Sequence, residues 1–178
     1  ALMGARGNSG IIFAQFLYGF SKDIKDKATM NINEFAGYMR NASECAYYAL
    51  AKPKEGTIIS VIKDWSNFLC ENCDTTDDLT TLLLNALAVA MESLKGTGKF
   101  IAAKAKTFVD AGAKGFVVFL EGMCEYFHSG EKTIQVANAE IADTEWMGED
   151  NHEDITFRYC TEALLIGEDL DRNKLSSL

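Results

Sequence analysis

The sequence predicts an all-helical barrel or bundle, and three observations carry that prediction. Apolar residues recur at intervals of three and four through the first 128 positions. Glycines, hydroxyls and aspartates punctuate these runs where helices should start and stop. The single proline, Pro53, falls between two of the runs, where it breaks neither.

The chain opens ALMGARGNSGIIFAQF, with Gly4, Gly7 and Gly10 spaced around Arg6, Asn8 and Ser9 and set against an apolar run. Glycine permits positive φ and close approach, while Asn and Ser favour turns and caps, so the stretch reads as a tight loop feeding a helix over about 10–21. With Ser9 as the cap, the free N–H groups and the positive end of the dipole form a place for an anion such as phosphate. A glycine turn with a good cap and no ligand accounts for the same residues. Arg6 can steer a phosphate, point to solvent or pair with a carboxylate, and these alternatives stay open.

Further helices are predicted over about 33–50 and 57–72, the second entered through KEGTIISVIKDW, where Gly56 and Thr57 precede an apolar run. The strongest periodicity is in DDLTTLLLNALAVAMESLK. Leu79, Leu82, Leu83, Ala86, Leu87, Ala90, Met91 and Leu94 share one face, Thr76 or Asp77 is placed to cap the start, and Gly96 and Gly98 are expected to end the helix. In TFVDAGAKGFVVFLEGM, Asp110, Gly112 and Gly115 lead into a helix over about 111–128. Past Ser129 the sequence turns polar and acidic and reads as a linker over 129–154. ITFRYCTEALLIG alternates like a strand, so 155–178 reads as the start of a following α/β domain, one strand having no sheet to itself.

A net charge of −9 and a sequence pI near 4.7 exclude a broad nucleic-acid surface, which needs clustered Lys and Arg. No apolar run reaches the ~20 residues of a membrane span and no secretory leader begins the chain, so a soluble, cytoplasmic protein is expected. Five scattered cysteines, Cys45, Cys70, Cys73, Cys124 and Cys160, suit reduced thiols. The start without an initiator Met suits a piece of a longer protein.

Several suggestive patterns fail on chemistry. GTGKF at 96–100 is no P-loop, because Ser93 stands where the first glycine must be and Phe100 where a Ser or Thr must follow. Cys70 and Cys73 have no second ligand pair at metal spacing and read as two helical thiols. His128 sits where it favours a helix C-terminus. The pairs Phe13 and Phe16, Tyr47 and Tyr48, and Phe116 and Phe119 read as core or interface packing.

Three glycine turns, each before a helix, suggest a shared ligand site. GARGNSG, EGT and VDAGAKG, in this order and at these separations, resemble the nucleotide-binding domain of the dihydroxyacetone kinase family over residues 1–128. The resemblance is to the bacterial branch containing fatty acid kinase ATP-binding subunits and relatives fused to DegV-type lipid-binding domains. YCTE at 159–162 resembles the start of the middle domain that follows in that branch.

The resemblance implies an antiparallel helical barrel with ATP at one end. Gly7, Asn8, Ser9 and Gly10 match the phosphate-contacting turn, Gly56 and Thr57 a segment lining the pocket, and Asp110, Ala111 and Gly112 the loop near the adenosine. The family's DGDTG-type loop, whose aspartates hold two magnesium ions on the phosphates, has no counterpart here and is expected upstream of Ala1. No metal site is therefore expected within this chain, any role of Cys160 as a ligand would need partners beyond Leu178, and the chain by itself is expected to bind nucleotide weakly without turning over.

The expected function is that of a kinase domain passing the γ-phosphoryl group of ATP to a small-molecule substrate. A fatty acid carboxylate presented by a DegV-like protein or domain is preferred over dihydroxyacetone, with a second copy of the chain as a further partner option. The alternative is a noncatalytic helical interaction module that keeps the glycine turns for folding.

Overall fold

The computed structural model describes residues 4–24, 27–101, 109–130 and 171. The chain divides into two compact units, Ala1–Thr133 and Ile134–Leu178, and every described helix belongs to the first. The anticipated linker beyond Gly130, the strand around Cys160 and His152 lie outside the described residues. The described part is all-helical, as the periodicity predicts: α1 (Gly7–Ile24), α2 (Ile32–Tyr48), α3 (Ile58–Asn72), α4 (Leu79–Ile101) and α5 (Ala111–Ser129). No helix among the described residues is long and apolar enough to cross a membrane.

Successive helices alternate in direction. Cys45 reaches Gln15 and Asn41 reaches Asp23, so α2 runs back along α1. Cys70 of α3 donates to the Ala36 carbonyl near the start of α2, and Cys124 of α5 to the Leu83 carbonyl of α4. Helices α1, α3 and α5 therefore run parallel to one another and begin at the same end. Helix α3 packs against all the others, which makes it the centre of the bundle. Its sequence suits that position: Ile58, Ile59, Val61, Ile62, Trp65, Ser66 and Leu69 are all buried, a wider stripe than a surface helix needs. Rings from α1 and α5 close on Trp65 of α3, with Phe16 at 6.3 Å and Phe116 at 5.9 Å between centroids. Phe13 and Phe119 extend the cluster at 5.1 Å. Tyr47 and Tyr48 instead lie on the surface, Tyr48 with 69% of its area exposed, because α2 ends there.

Helix ends depart from the sequence expectation in three places. Helix α1 begins at Gly7 rather than near Gly10, so Ser9 lies within the first turn and is not the cap. Helix α4 is capped by Asp78, not by Thr76 or Asp77: the Asp78 carboxylate accepts from the Thr80 and Thr81 N–H groups at 3.1 Å each and from the Thr81 hydroxyl. Thr76 contributes one step earlier, accepting from the Asp78 N–H at 3.1 Å. Helix α4 also continues through Gly96 and Gly98 to Ile101. A glycine costs a helix only about 1 kcal/mol, which tertiary bonds at Thr97 can offset. At α2 the reciprocal cap of Asn31 and Glu34 forms, with Glu34 also paired to Lys27. Gly130, at φ +67, closes α5 by donating to the Tyr126 carbonyl at 3.0 Å.

Two glycines make opposite predictions. A Cβ on Gly19 would meet the Ala42 Cα at 2.9 Å and the Cys45 Cβ at 2.6 Å, whereas one on exposed Gly37 would meet nothing within 4 Å. Gly19→Ala should destabilise the bundle by about 1–3 kcal/mol despite its helix propensity. Gly37→Ala should stabilise it by about 0.5–1 kcal/mol. Urea denaturation of the two variants beside the parent reads both signs.

Asp78 gives a pH dependence. Its bond from the Thr81 hydroxyl, followed by those from the backbone, holds its pKa below the ordinary 3.8. A depressed carboxylate stabilises the fold above its unfolded pKa and loses that contribution as pH falls through the folded one. Protection of the Thr80 and Thr81 amides should therefore decline only below the ordinary aspartate range, and Asp78→Asn should flatten the decline.

Candidate functional site

The end of the bundle where α1, α3 and α5 begin brings together the turns singled out in the sequence. Asp110 is the N-cap of α5, with φ −63 and ψ 125, and its Oδ1 accepts the Ala113 N–H at 2.7 Å. The same oxygen accepts the N–H of Ile58, the first residue of α3, at 3.1 Å. Thr57 occupies the N-cap position of α3 but makes no side-chain cap; its hydroxyl turns back to donate to the Lys54 carbonyl at 2.7 Å. A residue 52 positions away therefore supplies the cap that Thr57 does not.

Gly56 is buried at φ +76, a backbone conformation that a side chain would strain. Its N–H donates to the Ser60 hydroxyl at 2.9 Å, and that hydroxyl donates to Glu55 at 2.6 Å. The entry to α3 is thus a closed turn held by its own side chains.

Ser9 joins α1 to the same end. A Cβ on Gly112 would fall inside van der Waals contact with the Ser9 hydroxyl and 2.6 Å from the Ser9 Cβ. The first turns of α1 and α5 approach this closely only because position 112 carries no side chain. Asn8 and Ala111 are exposed beside this seam, Gly7 at φ +66 leads into α1, and Gly10 completes its first turn.

All nine sequence-predicted residues therefore lie in the first turns of α1 and α5 or at the entry to α3. The geometry links Ser9 to Gly112 and Asp110 to Ile58. Sequence reasoning missed Thr97. Its buried hydroxyl donates to the Leu94 carbonyl at 2.7 Å and accepts the Asp110 N–H at 2.9 Å. The only local signal was a Thr set between two glycines.

Each helix N-terminus carries about half a positive charge, and three of them share this end. Asp110 offsets part of the field of α3 and α5, while the first turn of α1 contains no acidic residue. An arrangement of this kind can receive an anion with several acceptor oxygens beside α1. Among the described residues no three His, Cys, Asp or Glu side chains gather to hold a metal ion. The Cys70 and Cys73 thiols donate to the Ala36 and Cys70 carbonyls at 3.2 and 3.3 Å. Burial pushes the thiols of Cys70 and Cys124 up, away from the reactive thiolate.

A family profile for the DAK2 domain matches residues 1–125. An uncharacterized protein of Staphylococcus epidermidis is 37% identical over 173 residues, covering 92% of this chain and 31% of that protein. An uncharacterized protein of Staphylococcus aureus strain USA300 is 36% identical over 172 residues, with the same coverage of 92% and 31%. The chain thus spans 31% of the length of these curated relatives.

Removing the shared cap should be felt by two helices. A lost cap costs about 1 kcal/mol, so Asp110→Ala is expected to destabilise by about 2 kcal/mol. Asp110→Asn keeps an acceptor oxygen in place and should cost less than half as much. Chemical denaturation of both variants distinguishes a double cap from an ordinary one, for which the alanine change would cost about 1 kcal/mol.

Proposed function

The chain belongs to the DAK2-domain family, and from that premise we propose that it binds ATP at the end of the bundle where α1, α3 and α5 begin. The observation carrying this reading is the convergence of three glycine turns that lie far apart in sequence, through Ser9 on Gly112 and Asp110 on Ile58. Backbone N–H groups of the Gly7–Gly10 turn contact phosphate, with Asn8 and Ser9 alongside. Gly56 and Thr57 line the pocket. Asp110, Ala111 and Gly112 shape the nucleoside side, Asp110 acting by holding two helices in place.

In the longer protein the domain acts as a phosphotransferase. A carboxylate oxygen of a fatty acid, presented by a DegV-like protein or domain, attacks the γ-phosphorus as the bond to ADP breaks, giving an acyl phosphate. Dihydroxyacetone is the less favoured acceptor. Magnesium, which ATP chemistry in this family implies, finds no ligand set among the described residues, so no step is routed through it. Residues 129–154 are proposed as a linker and 155–178 as the start of a middle domain, with the protein working in the cytoplasm.

Isothermal titration of the chain with ATP tests the site. Weak binding is expected of the chain by itself, and Ser9→Ala should weaken it further by about 1 kcal/mol, roughly fivefold, with little change in folding. Absence of ATP binding by the folded chain would point to a noncatalytic module. Equal affinity in Ser9→Ala and parent would leave Ser9 a packing residue only.

A further inference from the structure

Two polar residues are buried among those described, Ser66 and Thr97, each 1% exposed. The Ser66 hydroxyl is spent inside its own helix, donating to the Lys63 carbonyl at 3.1 Å. That of Thr97 reaches out of its helix. It donates to the Leu94 carbonyl at 2.7 Å and accepts the Asp110 N–H at 2.9 Å. The bond to Leu94 fixes the rotamer of a β-branched side chain, and so fixes where its lone pair points.

The Asp110 backbone is held by that lone pair, and its Oδ1 lies 2.7 Å from the Ala113 nitrogen and 3.1 Å from the Ile58 nitrogen. A continuous line of hydrogen bonds therefore runs from the first turn of α3, through Asp110, to the last turns of α4. Helix α4 reaches Asp110 only because it continues past Gly96, where glycine would ordinarily end it.

We propose that Thr97 is a positioning residue for the nucleotide site: from inside α4 it sets the Asp110 carboxylate between α3 and α5, and so fixes the spacing of two of the helix N-termini that form the site. The nucleotide half of this inference rests on the proposed function; the half concerning helix spacing does not. Thr97 touches no ligand. Its effect passes through Asp110, so a change at 97 should alter binding without altering any group that contacts ATP. Thr97→Val keeps the shape but leaves the Asp110 N–H without its partner, while the Leu94 carbonyl keeps its bond within the helix; Thr97→Ser keeps the hydroxyl and loses a methyl.

The test titrates ATP into the full chain and the two variants well below their melting temperatures, and follows hydrogen exchange at the Ile58 and Ala113 amides. Thr97→Val is expected to weaken ATP binding about tenfold, in line with one lost buried hydrogen bond. It should also speed exchange at both amides. Thr97→Ser should bind within about threefold of the parent and restore protection, since the hydroxyl bond survives. A Thr97→Val chain that melts earlier yet binds ATP like the parent, with both amides protected, would reduce Thr97 to a packing residue and overturn the inference. So would a Thr97→Ser chain as impaired as Thr97→Val, because the methyl and not the hydroxyl would then matter. If the parent itself binds no ATP, the proposed function fails, and the exchange measurement alone decides whether Thr97 positions Asp110.

Discussion

One carboxylate oxygen, Oδ1 of Asp110, accepts N–H bonds from the starts of two helices, and the arrangement of this end of the molecule depends on it. Parallel neighbouring helices place like partial charges side by side, which is unfavourable unless something negative lies between them. Here that something belongs to the fold. The Ile58 N–H it satisfies belongs to a residue only 3% exposed, where an orphaned donor would cost about 1–3 kcal/mol. Capping and burial therefore reinforce each other at α3, the helix that every other helix touches.

Close approach does the rest. Gly19 lets α1 lie against the backbone of α2, and Gly112 lets α5 lie against Ser9 of α1. The two glycines act at opposite ends of α1 and hold it to α2 and to α5. The apolar content of α1 sets which face turns inward, with Ile12 and Phe16 buried and Tyr18 half exposed. The glycines set how near that face comes. An antiparallel α2 and α4 interleave with the three parallel helices, so their carboxyl ends moderate the field at the end where the turns meet.

Periodicity made the helices legible, since the three-and-four spacing from Leu79 to Leu94 admits only one class of element. Helix ends were harder, because a cap is a choice among neighbouring candidates. Thr76, Asp77 and Asp78 are all suitable residues, and only the fold shows that Asp78 takes the amides of Thr80 and Thr81. Gly96 and Gly98 misled for a related reason: propensity is local, whereas the bond from Asp110 that holds Thr97 comes from beyond the helix. The three turns were legible as turns, and their order as a family resemblance. That Asp110 serves Ile58, or that Thr97 serves Asp110, was not legible, because no local pattern encodes a partner 52 or 13 residues away.

The shared cap also carries a consequence for how the chain folds. The bond from Ala113 to Asp110 closes within a single helical turn, but the bond from Ile58 must close 52 residues, an entropic cost of about 3–4 kcal/mol for a flexible chain. One hydrogen bond does not repay that, so the bridge forms only after packing of α4 and α5 onto α3 has brought the ends together. The region where the three turns meet thus closes late, after the helices that carry it have packed. Weakening it speeds unfolding more than it slows folding.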